Sequence, residues 1–154
     1  MTMIERLLAL AENRAETSGR SLTVKRRAVS TAYYAVFHAL AELCADELLG
    51  VQSDVRSEEY IRVYRSLEHG TLKTAFKAAP LNRVAALQRI GNRVVVLQSE
   101  RIRSDYLPSQ ALYTNDQCRD LVESAKSAIG SIAALSQGDR RSLAVHLLFK
   151  NRAL

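Results

Sequence analysis

Residues Arg26–Leu40 read RRAVSTAYYAVFHAL, and their spacing decides the fold. The stretch has neither proline nor glycine. Val29, Tyr33, Val36, Phe37 and Leu40 recur at three- and four-residue steps, as on a helix face turned toward a core. A second set, Arg27, Thr31, Tyr34 and His38, falls on one line at steps of four, three and four. About eleven residues make three helical turns, so a guanidinium, a hydroxyl, a phenol and an imidazole share one direction.

A charge turned toward neighbouring helices is costly unless it is paired, so Arg27 is expected to be half-buried and to meet an acid. A second polar cluster, Gln98–Pro108 or QSERIRSDYLP, offers one. There Arg101 follows Ile90, Val94 and Leu97 on one helix face, and Asp105, four residues on, can reach it. An aspartate in a last turn opposes the helix dipole, and a broken local rule points to a tertiary demand. The expected arrangement has Asp105 paired with Arg27, or bridging Arg27 and Arg101, across two long helices.

The remainder also reads as helix, which predicts an all-α bundle of four to five main helices plus short extra ones. The spacing predicts a first helix over 2–17 with Ile4, Leu7, Leu8, Ala11 and Ala15 inward, and a second running from the cap Ser21 to Gly50. Ser57 opens a third that is predicted to continue to Gly70. A short one over 71–79 stops at Pro80, and a long one over 81–107 stops at Pro108. Thr114 and Asp116 open another, reaching Gln137 before Gly138, and a last helix covers 140–152. Gly19, Gly50, Gly70 and Gly138 are all read as helix stops. The division is a bundle over 1–138 and a basic C-terminal helix within 139–154, part of one domain. The run RVVVLQ is β-branched but sits inside a longer helical period (Val84, Leu87, Gly91, Val94, Val95, Gln98, Ile102). Ala28, Ala32, Ala35 and Ala39 form a file of small residues that lets a neighbour approach the second helix closely.

The chain has 154 residues, 47% hydrophobic and 25% charged, with a formal charge of +6, which suits an anionic partner. From Arg56 to Arg93 there are eight basic residues against three acids. No apolar run reaches the roughly 18 residues of a membrane span and the N-terminus has no secretory pattern, so a cytoplasmic protein without membrane contact is expected. Cys44 and Cys118, 74 positions apart, have neither disulfide nor metal spacing and are expected to be buried hydrophobes. Gly-rich phosphate loops, paired metal-ligating histidines and a Gly-x-Ser-x-Gly elbow are all missing, and no cofactor is implied.

Taken together, RRAVSTAYYAVFHAL, YRSLEHG (Tyr64–Gly70), LQSERIRSDYLP (Leu97–Pro108) and SLAVHLLFK (Ser142–Lys150) resemble the HEPN superfamily of small all-helical prokaryotic proteins. The likeness is to the branch with an Ala-Tyr-Tyr-Ala-x-Phe-His helix and an Arg-x-x-x-Asp-Tyr motif. The resemblance implies a homodimer joined along the motif-bearing helices, and a function in a toxin–antitoxin or anti-phage system. The implied partners are RNA or a nucleotide, and a cognate antitoxin or neighbouring operon protein. Many relatives are metal-independent ribonucleases whose hallmark is an arginine followed after four to six residues by histidine. Here those positions are Asp105, Tyr106 and Leu107, so the motif is degenerate: Arg101 is present and the expected histidine is absent. The resemblance makes Arg101, Asp105, Tyr106 and His38 the catalytic candidates, with Tyr106 or His38 standing in for the missing histidine. Arg27, Thr31 and Tyr34 are the binding candidates. The remaining expectation is a non-enzymatic, dimeric partner-binding module. His69 is expected to lie against a helix C-terminus, His146 to be partly buried, and Tyr33, Phe37, Tyr60 and Tyr64 to belong to the core.

Overall fold

The computed structural model describes residues 1–108 and 112–152. Among them it is all-α, with no strand. Seven helices follow one another: α1 (Met3–Thr17), α2 (Leu22–Leu49), α3 (Glu58–Tyr64), α4 (His69–Lys77), α5 (Ala85–Tyr106), α6 (Asn115–Ala133) and α7 (Gln137–Leu148). Hydroxyl caps start most of them. Thr2 with Glu5 and Thr114 with Gln117 form reciprocal capping boxes, and Ser21, Ser57 and Ser136 each accept from the backbone N–H three residues on. Gly19 and Gly50, at φ 51° and 92°, take the left-handed conformation that ends α1 and α2.

The hub is α2, against which α1, α3, α5, α6 and α7 all pack. Val29, Tyr33, Val36 and Leu40 are fully buried, each worth roughly 1.5–3 kcal/mol of apolar transfer. Ala28, Ala32 and Ala35 are equally buried, so the small-residue file does admit close neighbours. Cys44 and Cys118 are buried free thiols in the same core.

Several boundaries differ from the sequence reading, and α6 ends at Ala133 rather than at the expected Gln137. The third helix stops at Tyr64, because the Ser66 hydroxyl donates to the Arg62 carbonyl and the Ser66 N–H to Val63, closing the turn early. Buried Leu67 then crosses the core edge and His69 opens α4. Residues 81–84 are turns rather than helix, with the Asn82 side chain donating to the Lys77 carbonyl at 2.8 Å. Gly70 and Gly138 lie inside the first turns of α4 and α7, since Ser136 caps the latter upstream of its glycine. The basic C-terminal helix therefore runs Gln137–Leu148, three residues earlier at its start and four at its end than the expected 140–152, and residues 153–154 of the expected C-terminal segment lie outside the described ones.

The approach of α4 to α5 positions the site. A Cβ on Gly91 would meet Phe76 Cδ1 at 2.6 Å, so glycine is what lets α4 lie this close. Phe76 meets Gly91 near one end, and the Gln98 side-chain amide donates to the His69 carbonyl at the other, so the two helices run antiparallel. α2 and α5 are antiparallel too. Arg26 near the start of α2 donates to the carbonyls of Leu107 and Pro108 at 2.7 and 2.8 Å, capping the C-terminal end of α5.

Candidate functional site

Three helices bring one polar cluster together. Arg101 on α5 is 8% exposed, and its guanidinium carbon lies 5.1 Å from the ring centroid of Tyr33 and 5.9 Å from that of Tyr34, both on α2. These are cation–π distances. Its ion pair with Asp105 is 3.8 Å long, beyond hydrogen-bonding reach, and its Nε has no hydrogen-bond partner among the described residues. One turn earlier, Oε1 of the buried Gln98 is likewise unpartnered. Two buried polar atoms left unsatisfied on neighbouring turns are costly and rare, and need a reason.

The third element is α4. Nδ1 of His69 shares a hydrogen bond of 2.7 Å with the Tyr33 hydroxyl. The imidazole stacks on Phe37 at 3.9 Å between centroids and meets Tyr34 edge-on at 5.9 Å. Burial lowers the His69 pKa below its ordinary 6.5, and the charge of Arg101 pulls it further in the same direction. Burial pushes the Tyr33 phenol up to about 12 against the opposing pull of Arg101. At neutral pH the cluster therefore holds a neutral imidazole, a protonated phenol and a cation.

An open cleft of about 330 Å³ adjoins it, lined by Thr23, Arg26, Arg27, Ser30, Tyr34, Ser104 and Asp105. Arg101 is not in the lining but contacts two members of it, Tyr34 and Asp105.

Of the sequence candidates, Arg101, Asp105 and Tyr34 come together, and Arg27 shares the cleft with the last two. Thr31 is partly buried on α2 outside the lining. Arg27 is exposed rather than half-buried, and the expected Arg27–Asp105 bridge is not formed: Asp105 pairs with Arg101 alone. The arginine that ties α2 to α5 is Arg26, because backbone carbonyls at the α5 terminus are better placed for it than the carboxylate. Tyr106 is 73% exposed and makes no hydrogen bond among the described residues. Nδ1 of His38 is bonded to the Tyr64 hydroxyl of α3 at 2.6 Å, outside the cleft, and burial lowers its pKa.

His69, Tyr33 and Gln98 were not singled out as site residues. His69 lies at the N-terminus of α4, not at a helix C-terminus, because the chain breaks at Ser66. The available signal was Gln98, a glutamine on the apolar line of α5. His146 is partly buried, its Nδ1 hydrogen-bonded to the Ser142 carbonyl at 2.7 Å. Among the described residues no group of histidine, cysteine or acidic side chains is arranged to hold a metal, and no helix is long and apolar enough to cross a membrane. Compared with protein-family models, curated proteins and solved structures, the chain matches none.

Proposed function

We propose that this chain is a HEPN-like, RNA-directed protein of a prokaryotic toxin–antitoxin or anti-phage pair, in which Arg101 engages RNA phosphate and His69 takes the role its motif leaves vacant. The observation that carries the reading is the meeting of Arg101 and His69 on one tyrosine, Tyr33, beside a cleft with further cations. An arginine fork matches phosphate oxygens, and a neutral imidazole accepts a proton near neutral pH. The reaction these groups suit is attack of a ribose 2′-oxygen on the adjoining phosphorus. The imidazole takes the 2′-hydroxyl proton, the O2′–P bond forms, the P–O5′ bond breaks and the imidazolium returns that proton to the 5′-oxygen. The products are a 2′,3′-cyclic phosphate and a 5′-hydroxyl, with Arg101 stabilising the negative charge that builds on the non-bridging phosphoryl oxygens. His38 and Tyr106 have no part in this step, the first being committed to Tyr64 and the second facing solvent.

The test is incubation of single-stranded RNA with pure protein in EDTA, reading both cleavage and end groups. Cyclic-phosphate products that vanish in Arg101→Ala and His69→Gln support the reading, provided melting curves show both variants folded. Intact RNA with folded wild-type protein overturns the cleavage step. The burial of Arg101 favours a second reading, a non-enzymatic homodimeric module in which the cluster holds helices together. It predicts no cleavage, and a dimer that dissociates on Arg101→Ala in sedimentation velocity.

A further inference from the structure

The far half of α2 builds a different surface. Glu42 lies eight residues beyond Tyr34, about 12 Å along the helix. It borders a groove of about 300 Å³ lined also by Met3, Val55, Tyr60, Ile61 and Tyr64. Three of these walls are large apolar side chains left open to solvent: Met3 is 51% exposed, Val55 62% and Ile61 44%. Apolar groups collected in one concavity, unlike scattered ones, mark an interaction site. Tyr60 and Tyr64 stack 6.2 Å apart, and the Tyr60 hydroxyl donates to Asp46 at 3.1 Å, which fixes that ring in place.

The groove is also the wrong sign for this protein. On a chain of net charge +6 its one charged lining residue is an acid, Glu42. Glu42 makes no ion pair among the described residues, since Arg140, the nearby cation, is taken by Glu47 at 3.0 Å. Burial holds the Glu42 carboxyl above its ordinary range, and Asp46 adds to that. We propose that this groove docks a partner polypeptide through one lysine or arginine flanked by apolar residues. The aliphatic stem of such a side chain lies along Met3, Val55 and Ile61, and its charged head meets Glu42 beside the tyrosine rings. The flanking apolar residues cover the rest of the exposed wall. This docking is independent of the RNA reading, because it uses none of the residues around Arg101.

The test is an NMR titration of the full chain with acetyl-Leu-Leu-Arg-Leu-Leu-amide and its norleucine and glutamate counterparts. The arginine peptide is expected to shift the amides of Tyr60, Ile61 and Tyr64, and Glu42→Gln to weaken it about tenfold. Equal binding of the norleucine peptide, or full binding to Glu42→Gln, overturns the proposal. So does n-butylguanidinium binding as tightly as the peptide, which would make the groove a small-cation site. Concentration-dependent self-association that is lost in Glu42→Lys would put a second copy of the chain there, and overturns it too.

Discussion

Two arginines that pack against α2, Arg140 at its C-terminal end and Arg101 near its middle, are treated in opposite ways. Arg140 donates from Nε to Glu47 at 3.0 Å, Gln137 donates to the other Glu47 oxygen at 2.8 Å, and that glutamate side chain is only 9% exposed. The Arg101 side chain is more buried than that of Arg140, yet among the described residues its nearest carboxylate is 3.8 Å away and its Nε is unpartnered. The first arrangement is a satisfied clamp between α2 and α7. The second keeps a cation under-bonded beside aromatic faces and an open cleft, which stability alone does not require. The contrast separates a charge that holds the fold from one held by it.

If that contrast is right, the two sites break differently. Arg101→Ala should lower RNA cleavage on the order of a hundred- to a thousandfold, the size of losing one preorganised donor to a developing oxyanion. Rates from gels in EDTA check it, and a change within a few fold would erase the difference between the two arginines. The same position should tolerate loss of charge in the fold. Arg101→Met is expected to stay within about 1 kcal/mol of wild type, because its ion-pair partner Asp105, 3.8 Å away and exposed, is not left as a buried charge. Arg140→Met should cost about 3 kcal/mol, since it strands a buried Glu47. Urea melts of the pair give both numbers, and equal losses would put Arg101 back among structural clamps.

The geometry of α4 offers a sharper cut. Gly91→Ala drives a methyl group into Phe76, at 2.6 Å from Cδ1. Overpacking of about 1–3 kcal/mol set against the roughly 1 kcal/mol helix preference of alanine leaves a net loss of about 1 kcal/mol. Because α4 carries His69, cleavage should fall more than stability does. Adding Phe76→Leu, which makes room, should restore cleavage. Undiminished cleavage by Gly91→Ala would mean that His69 does not depend on this packing.

Much of this was legible before any coordinates. The apolar line of α2 and the hydroxyl caps gave the helices, because periodicity and capping are local signals. Arg101 with Asp105 was readable as an i,i+4 pair, and Cys44 and Cys118 as buried from their isolation. His69 was not readable, since its place depends on a break at Ser66 where the periodic pattern runs on, and on a glycine on another helix. The Arg27–Asp105 bridge failed for a similar reason. Helical spacing gives the direction of a side chain but not whether a neighbouring arginine reaches the partner helix first, as Arg26 does.

The smallest expected effect tests the bond that unites the site. Tyr33→Phe keeps the ring, its stack and its cation–π contact, and removes only the hydroxyl that meets His69 Nδ1. Leaving that nitrogen without its partner should cost about 1 kcal/mol. If the hydroxyl orients the imidazole for proton transfer, kcat should drop while RNA affinity holds; a fall in affinity alone would reassign Tyr33 to binding. The pH response checks the same bond from the other side. His69 has a folded pKa below its ordinary 6.5, so its neutral form contributes in full above that pH, and the contribution drains away as pH falls through it. His38 acts with the same sign. The histidine contribution to stability should thus decline below pH 6.5, and His69→Gln should remove part of that decline. An unchanged slope in His69→Gln would show an imidazole that titrates freely, and a free imidazole is not locked between Tyr33, Phe37 and Arg101.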